Sequence, residues 1–309
     1  DNIETFDLTT PPAHLMWDAA TRRFTVTHQY LDDNPSGDPS NEYLIVFIVT
    51  DNSLESSFAG AAVQVDNVAP TILLDAVAPI LEDGTAALSG TITDPGSLDT
   101  FTLDIDWGDP LSPGNSETID LTAPPVHVMW DAFTRRFTVT HQYLDDNPST
   151  TAADLYTIQV AVTDDDSGVD TAGTTVTVSN VAPVLQNVAV TPAINENGMV
   201  TLTGVVGDPG TLDTFTLKID WRDGSPLQVI ALGSTGISEK GLEWKPGTRE
   251  FSVAHQYLDD HPLTGTPQDR FAIAVTVTDD DTGQGQAMAT TWVSNVAPHN
   301  VRIADQVGT

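Results

Sequence analysis

The chain has 309 residues and carries 44 Asp and Glu side chains against 11 Lys and Arg, which gives a formal net charge of −33, and it has no cysteine. The absence of cysteine excludes disulfide scaffolds, cysteine-ligated zinc, iron–sulfur clusters and thiol nucleophiles. The negative charge repels phosphates, and no apolar run approaches the roughly 18–20 residues that span a bilayer, so we expect no nucleic-acid binding and no direct membrane insertion.

Copies of one sequence pattern follow each other along the chain. The string His-Gln-Tyr-Leu-Asp-Asp begins at His28, His141 and His255, and the string Asn-Val-Ala-Pro begins at Asn67, Asn180 and Asn295, so the period is about 114 residues. This period predicts the C-terminal part of a repeat over residues 1–69 (repeat 1), complete repeats over 70–182 (repeat 2) and 183–297 (repeat 3), and the first strand of a following repeat over 298–309.

Short runs rich in Val, Ile, Thr and Phe predict eight strands in repeat 2, over residues 71–77, 86–92, 101–107, 117–121, 126–130, 136–143, 155–163 and 171–178. Apolar and polar residues alternate in 137–143 and 156–162, which is the period of half-buried strands. Residues 131–134 are typical of a hairpin loop. With no convincing helical period, the sequence predicts an all-β fold of tandem β-sandwiches arranged as a rod.

Repeat 1 matches only the C-terminal part of the other repeats. A sandwich without its first strands exposes an apolar face and unpaired strand edges, and it should not stay ordered alone. We therefore expect residues 1–69 to be completed by strands from another copy of the chain, or by an adjoining repeat of the same long protein.

Aspartates cluster at the predicted strand ends. Carboxylates that converge on a loop edge repel one another unless a hard cation neutralises them, and calcium takes six to eight oxygen ligands from such sets. Alternatively, Asp accepts hydrogen bonds from its own turn, which we favour for Asp94 and Asp208; for the Asp-Asp-Asp runs both interpretations stay open. We predict one calcium ion per complete repeat near the domain junction, with ligands drawn from Glu82, Asp83, Asp99, Asp145, Asp146, Asp164, Asp165 and Asp166 in repeat 2 and from Glu196, Asp213, Asp259, Asp260, Asp279, Asp280 and Asp281 in repeat 3.

The recurring His and Trp residues favour structural roles. We expect His141 and its counterparts to hydrogen-bond the Trp-Gly-Asp turn, and the Tyr two residues later to anchor a corner. Trp107 and Trp221 are predicted core residues. Trp130 ends a hairpin strand, where an exposed ring could stack on a polysaccharide, but Arg135 and Arg136 across the hairpin could cover it, and we predict packing.

Three elements, in order, resemble the signature of polycystic-kidney-disease-type (PKD) domains: Asp-Trp-Gly-Asp at 106–109, His-Gln-Tyr at 141–143, and the run at 156–164 followed by Ser-Gly at 167–168. The order recurs in repeat 3, where Arg222 replaces the first turn glycine, and each repeat is longer than a typical PKD domain. The resemblance implies an immunoglobulin-like sandwich in an extracellular, usually bacterial, module for adhesion, spacing or carbohydrate contact. It does not imply catalysis.

The sequence thus predicts a structural segment of a long extracellular or cell-surface protein, such as a filament, a surface-layer component or an adhesin stalk. Glycine-rich phosphate loops, nucleophile elbows and paired-His zinc motifs are absent from the sequence, so we predict no enzymatic activity. Two alternatives stay open: a module that binds carbohydrate or cells, and an accessory region of a secreted hydrolase.

Overall fold

The computed structural model describes residues 3–33, 37–147, 149–260 and 265–298. The described residues form an all-β protein of 23 strands, and no sheet combines strands from different repeats. No helix in the described part of the chain is long and apolar enough to cross a membrane. The strand predicted over 298–309 lies outside the described residues, apart from its first residue.

Repeat 1 forms two separate two-stranded sheets, β1–β2 and β3–β4. Ile45 and Phe47 are only half-buried, whereas Ile158 and Val160 at the same positions of repeat 2 are fully buried. Among the described residues of repeat 1, Leu15 is the only buried hydrophobic side chain. The four strands are β1 (Leu15–Asp18), β2 (Arg23–Val26), β3 (Ser40–Thr50) and β4 (Ser56–Asp66).

Repeat 2 is a sandwich of two sheets around one core. The sheets have the strand orders β10-β11-β7-β5 and β6-β13-β12-β8-β9, with β6 parallel to β13 and the other neighbours antiparallel. Two mainly antiparallel sheets with these crossovers define an immunoglobulin-like sandwich. The strands are β5 (Thr71–Leu74), β6 (Ile80–Leu81), β7 (Thr85–Thr93), β8 (Phe101–Asp106), β9 (Ser116–Asp120), β10 (Val128–Asp131), β11 (Arg136–Gln142), β12 (Ala153–Asp164) and β13 (Val169–Ser179).

Repeat 3 has the same arrangement, with sheet orders β14-β16-β21-β20-β19 and β15-β23-β22-β17-β18. It adds one short strand, β19, beside the hairpin strand β20. The strands are β14 (Val184–Val190), β15 (Ala193–Asn195), β16 (Gly198–Gly207), β17 (Phe215–Asp220), β18 (Gln228–Leu232), β19 (Ile237–Glu239), β20 (Leu242–Lys245), β21 (Glu250–Tyr257), β22 (Gln268–Asp279) and β23 (Gln284–Ser294).

The predicted strand 71–77 is shorter in the structure, because the chain crosses there from one sheet to the other. β5 ends at Leu74 after pairing with β7, and the chain joins the opposite sheet at Ile80 as β6. Two residues are too few to show a period, so no pattern in the sequence indicates β6. This crossing places the turn that follows β6 at one end of the sandwich.

The His, Tyr and Trp predictions are confirmed. His141 stacks on the buried Trp107 with ring centroids 4.9 Å apart, and its Nε2 lies 3.2 Å from Asp109 Oδ2. The Tyr143 hydroxyl donates to the Trp107 carbonyl at 2.9 Å. Trp130 is half-buried against the core, and its ring centroid lies 6.4 Å from that of Phe101.

Arg135, one of the two arginines that could cover Trp130, lies over the ring of its neighbour Phe101. The Arg135 guanidinium lies 5.1 Å from the centroid of the Phe101 ring and donates to the carbonyl oxygens of Asp94 and Gly96. Arg249 makes the same contacts in repeat 3, with Phe215, Asp208 and Gly210. These arginines hold the Asp-Pro-Gly loops, whose aspartates, Asp94 and Asp208, lie where two repeats meet.

Candidate metal centre

Carboxylates gather where two repeats meet. We call the contact between repeats 1 and 2 the first junction, and that between repeats 2 and 3 the second junction. At the second junction, repeat 2 contributes the turn after β6 and the loop between β11 and β12, and repeat 3 contributes the β16–β17 loop and the β22–β23 turn. Apart from the exposed Asp83, the acidic residues on these four segments are Glu82, Asp145, Asp146, Asp208, Asp213, Asp279, Asp280 and Asp281.

Hydrogen bonds between the repeats hold the second junction together. The Leu212 N–H of repeat 3 donates to Asp145 Oδ2 of repeat 2 at 2.9 Å. The neighbouring Thr211 N–H donates to the Leu144 carbonyl at 3.2 Å. Both bonds cross from one repeat to the next, so they fix Asp145 against the β16–β17 loop.

The Asn-Val-Ala-Pro linker packs into the same site. Asn180 Nδ2 donates to Asp279 Oδ2 at 3.0 Å, and the Val181 N–H donates to Glu82 Oε1 at 2.8 Å. A Cβ atom at Gly283 would lie 2.8 Å from the Cα of Ala182, so only glycine allows the β22–β23 turn to approach the linker this closely. The linker therefore touches carboxylates of both repeats.

Within the second junction the carboxylates form two groups that fit the spacing of a cation site. Glu82, Asp145 and Asp213 each offer one oxygen within 4.8 Å of the others, and so do Asp145, Asp146 and Asp281. Calcium binds oxygens at about 2.3–2.6 Å, so two ligands on opposite sides of the ion lie about 5 Å apart. The observed spacing therefore suits direct coordination.

Burial gives independent support for a ligand at this site. Glu82, Asp145 and Asp146 are only 3%, 2% and 0% exposed. Among the described residues, Glu82 Oε2 and both oxygens of Asp146 accept no hydrogen bond of ordinary geometry. A buried carboxylate oxygen without a donor is costly, and a bound cation would remove that cost.

Burial also shifts the titration of these groups. Burial is the largest cause that raises the pKa of Glu82 to about 8; the nearby carboxylates of Asp208 and Asp145 act in the same direction, and the Val181 N–H acts against it. Burial together with Asp146 raises the pKa of Asp281 to about 7, and the pKa of Asp213 is raised by burial and by Asp208. The ionised cluster is thus unfavourable by itself, as expected for carboxylates that neutralise a cation.

Asp280 and its counterpart Asp165 each accept a hydrogen bond from a neighbouring loop. Asp280 Oδ1 accepts a hydrogen bond from the Thr214 N–H at 2.8 Å, and Asp165 Oδ1 accepts one from Thr100 at 2.7 Å. Asp165 is exposed. Both side chains brace the loop that carries Asp213 or Asp99, while Asp164, Asp166 and Asp281 of the two Asp-Asp-Asp runs enter the carboxylate groups.

The first junction repeats this geometry. Asp32, Asp99 and Asp166 form one carboxylate group, and Asp94, Asp99 and Asp164 form another. The Leu98 N–H donates to Asp32 Oδ2 at 2.9 Å, and Asn67 Nδ2 donates to Asp164 Oδ2 at 2.9 Å. Asp166 is 1% exposed, and within the described part of the chain neither of its oxygens accepts a hydrogen bond of ordinary geometry.

The remaining predicted ligands of repeat 3 lie at its opposite end. Glu196, Asp259 and Asp260 form a further carboxylate group, in which Asp259 is exposed and the other two are half-buried. Glu196 Oε1 accepts a hydrogen bond from the Val296 N–H at 2.7 Å, as Glu82 does from Val181. We call this group the C-terminal edge.

Asp83 does not share the position predicted for it. Its side chain is exposed, its φ is +57°, and its Oδ1 accepts a hydrogen bond from Gln142 Nε2 at 2.8 Å. Asp83 is therefore a turn residue, and we leave it out of the ligand set. The sequence placed it with Glu82 because neighbouring acidic residues look alike without the direction of their side chains.

Asp94 and Asp208 are turn residues, the role that the sequence favoured, and in a second role each is a candidate cation ligand. Each Oδ1 caps its own turn, accepting a hydrogen bond from Gly96 at 2.7 Å or from Gly210 at 2.9 Å. Each Oδ2 is buried and, among the described residues, accepts no hydrogen bond of ordinary geometry. The recurring spacing of five residues to Asp99 or Asp213 was the available signal for the second role.

Comparisons with known proteins were made by sequence and by structure. No protein-family model matches the chain, and no curated protein matches it. Among solved structures, the chain is similar to a marsupial T cell receptor (12% identity, 74% of this chain and 75% of that chain covered, TM-score 0.29). It is also similar to a tetra-tandem repeat in the extending region of a large adhesion protein (11% identity, 82% and 57% covered, TM-score 0.39).

A third similar structure is murine CEACAM1b (12% identity, 72% of this chain and 100% of that chain covered, TM-score 0.27). The chain spans 57% of the length of the adhesion-protein structure. At identities and TM-scores this low, the assignment of the fold class rests on the strand order of repeats 2 and 3 themselves.

Proposed function

We propose that this chain is a structural segment of a long extracellular protein, in which calcium bound at the repeat junctions stiffens a rod of PKD-type sandwiches. The role is mechanical rather than catalytic. The protein that contains the segment would be a filament, a surface-layer component or an adhesin stalk on a bacterial surface. The PKD assignment rests on the ordered motifs at 106–109, 141–143 and 156–164.

One observation carries the proposal: each junction site is assembled from two repeats. Asp145 and Asp213 belong to different repeats, and they lie in one carboxylate group together with Glu82. The ligands are carboxylate oxygens, which calcium and magnesium prefer over the nitrogen and sulfur donors of zinc. Calcium suits a crowded set of this kind, because it accepts more ligands and a more irregular geometry than magnesium does.

The mechanical effect follows from charge. Without a cation, the carboxylates of repeat 2 and repeat 3 repel each other across the second junction and favour bending or opening of the joint. With calcium bound, the same side chains attract a common ion and connect the repeats. The hydrogen bonds of Leu212 and Asn180 then set the angle between the repeats.

End-to-end stacking would be accompanied by strand complementation at repeat 1. The half-buried faces of Tyr43, Ile45 and Phe47 support a partner sheet there, since the matching face of repeat 2 lies in a core. We propose that strands equivalent to β5–β9, from an adjoining repeat or another copy, cover this face. A chymotrypsin-like protease should then cut at Tyr43 and Phe47 more slowly as chain concentration rises; cutting that is fast at every concentration contradicts complementation by copies.

Pairs of spin labels test the stiffening directly, since a chain without cysteine permits two introduced cysteines without background labelling. Thr157→Cys and Ala231→Cys place exposed labels on repeats 2 and 3. We expect calcium to narrow the distance distribution measured by pulsed electron paramagnetic resonance, and chelation to broaden it.

The pair Ala231→Cys and Gln286→Cys is the matched control, because both labels then lie on repeat 3. Calcium should leave the distance distribution of this pair unchanged. A chain that binds calcium but keeps the same distribution between Thr157→Cys and Ala231→Cys would contradict the stiffening. A chain that binds no calcium would contradict the proposed site.

A further inference from the structure

The two carboxylate groups of the second junction share one member. Glu82, Asp145 and Asp213 form the first group, and Asp145, Asp146 and Asp281 form the second. Each group draws on both repeats, so neither exists before the repeats dock. Asp145 is the residue that belongs to both groups.

Each group also has its own unsatisfied buried oxygens. Among the described residues, the buried oxygens that lack a hydrogen bond of ordinary geometry are Glu82 Oε2 and both oxygens of Asp213 in the first group, and both oxygens of Asp146 and Oδ1 of Asp281 in the second. A cation held within one group would satisfy the oxygens of that group only. The oxygens of the other group would stay buried without a partner, at a cost that structures rarely tolerate.

The charge of the two groups also requires more than one divalent ion. The five carboxylates of the two groups offer up to five negative charges, and none of the ion pairs between described residues includes any of them. Arg249 approaches this junction, but it donates to the carbonyl oxygens of Asp208 and Gly210. One divalent ion would leave most of this buried charge uncompensated, whereas two ions compensate nearly all of it.

We propose that the second junction binds two calcium ions, with Asp145 as a ligand shared between them. This inference rests on the calcium-stiffened joint proposed above and replaces the expected single ion per repeat. The position of Asp145 suits the bridging role, because Leu212 and Asn147 hold its two oxygens in place through hydrogen bonds. At the first junction two groups also share a residue, but it is Asp99 of repeat 2, and the group Asp94, Asp99 and Asp164 lies within repeat 2 alone.

Native mass spectrometry of the full chain in calcium tests the count. Glu82→Gln and Asp146→Asn each remove a ligand from one group only, so each variant should lose one tightly bound ion. Asp145→Asn removes the shared ligand and should lose two. Circular dichroism checks that each variant keeps its β structure, and the double variant Glu82→Gln/Asp146→Asn provides a second route to the loss of two ions.

Glu196→Gln and Asp260→Asn are the matched controls, because they alter the same positions at the C-terminal edge. They should leave both ions of the second junction in place. If Glu82→Gln, Asp146→Asn and Asp145→Asn all lose the same single ion, the shared two-ion site is overturned and the calcium-stiffened joint still stands. If the unaltered chain binds no calcium, both proposals fail.

Discussion

The second junction and the C-terminal edge carry the same residues in the same order. Glu82, Asp145 and Asp146 recur 114 residues later as Glu196, Asp259 and Asp260, and both glutamates accept a hydrogen bond from the linker valine, at 2.8 and 2.7 Å. At the junction all three are buried, whereas at the edge Asp259 is exposed and the other two are half-buried. Local sequence thus makes half a site, and docking of the next repeat turns it into a buried one.

The largest effect expected from this difference is a dependence of stability on calcium. If the junction sites bind calcium, each occupied site adds about 2.7 kcal/mol to the free energy of unfolding at a calcium concentration 100 times its Kd. Chelation should therefore lower the midpoint of urea unfolding, followed by circular dichroism. The variant Glu82→Gln/Asp146→Asn is the control and should respond less, and an unaltered chain with equal midpoints in calcium and chelator would break the comparison.

Adding a further junction to the chain tests the comparison, because it should add bound calcium ions. In a chain with residues 183–297 duplicated, the second copy should bury Asp259 and Asp260, so the chain should gain as many bound calcium ions as one junction holds. Isothermal titration calorimetry counts them. Asp213→Asn and Asp281→Asn in the added copy remove its members of both carboxylate groups, and this control should gain none; an equal gain with and without the two substitutions would show that the edge binds calcium alone.

A smaller change at one glycine should separate binding from folding. A Cβ atom at Gly210 would lie 2.4 Å from Glu82 Oε2 and 2.6 Å from Asp213 Oδ2, so Gly210→Ala should displace both carboxylates. Because flexible side-chain ends can move, we expect calcium affinity to fall about tenfold, or about 1.4 kcal/mol, with little change in unfolding in chelator. Titration calorimetry measures the affinity.

Gly247→Ala is the matched control for this prediction, since a Cβ atom at Gly247 would meet nothing within 4 Å. It should leave calcium affinity unchanged. Equal affinities for Gly210→Ala and the unaltered chain would mean that Glu82 and Asp213 are not ligands.

The smallest expected effect concerns the linker. Asn180→Ala removes the 3.0 Å hydrogen bond to Asp279 and should cost about 1 kcal/mol of junction stability without changing the number of bound ions. Asn295→Ala changes the same linker position at the C-terminal edge, where Asn295 is exposed, and should cost less. Equal losses in calorimetric unfolding would mean that the Asn180 bond contributes nothing specific to the junction.

The sequence predicted the sandwiches well because their signals are local. Alternation in residues 137–143 and the hairpin at 131–134 depend on neighbours along the chain, and both appear as β11 and its turn from β10. Trp107, directly after β8, and Trp130, within β10, both pack against the core as predicted. The two-residue strand β6 was missed, because its pairing partner β13 is remote and its length carries no period.

The site was predicted less completely, because it depends on side-chain direction and on docking. The sequence selected Asp145 and Asp213, but nothing in it revealed that they would share a group across two repeats. Asp83 and Glu82 are adjacent and acidic, yet only Glu82 turns inward to the linker. The calcium itself and its ligands stay a prediction that the experiments above address.

Each complete repeat carries unlike half-sites at its two ends: in repeat 2 the group with Asp145 lies at one end and the group with Asp99 at the other. Such an interface is heterologous, and its repetition produces an open chain with a direction rather than a closed ring. Length can then change by gain or loss of whole repeats, since every added unit brings one half-site and completes another. A gene for such a protein could lengthen or shorten its product by recombination between repeats without inventing a new contact surface.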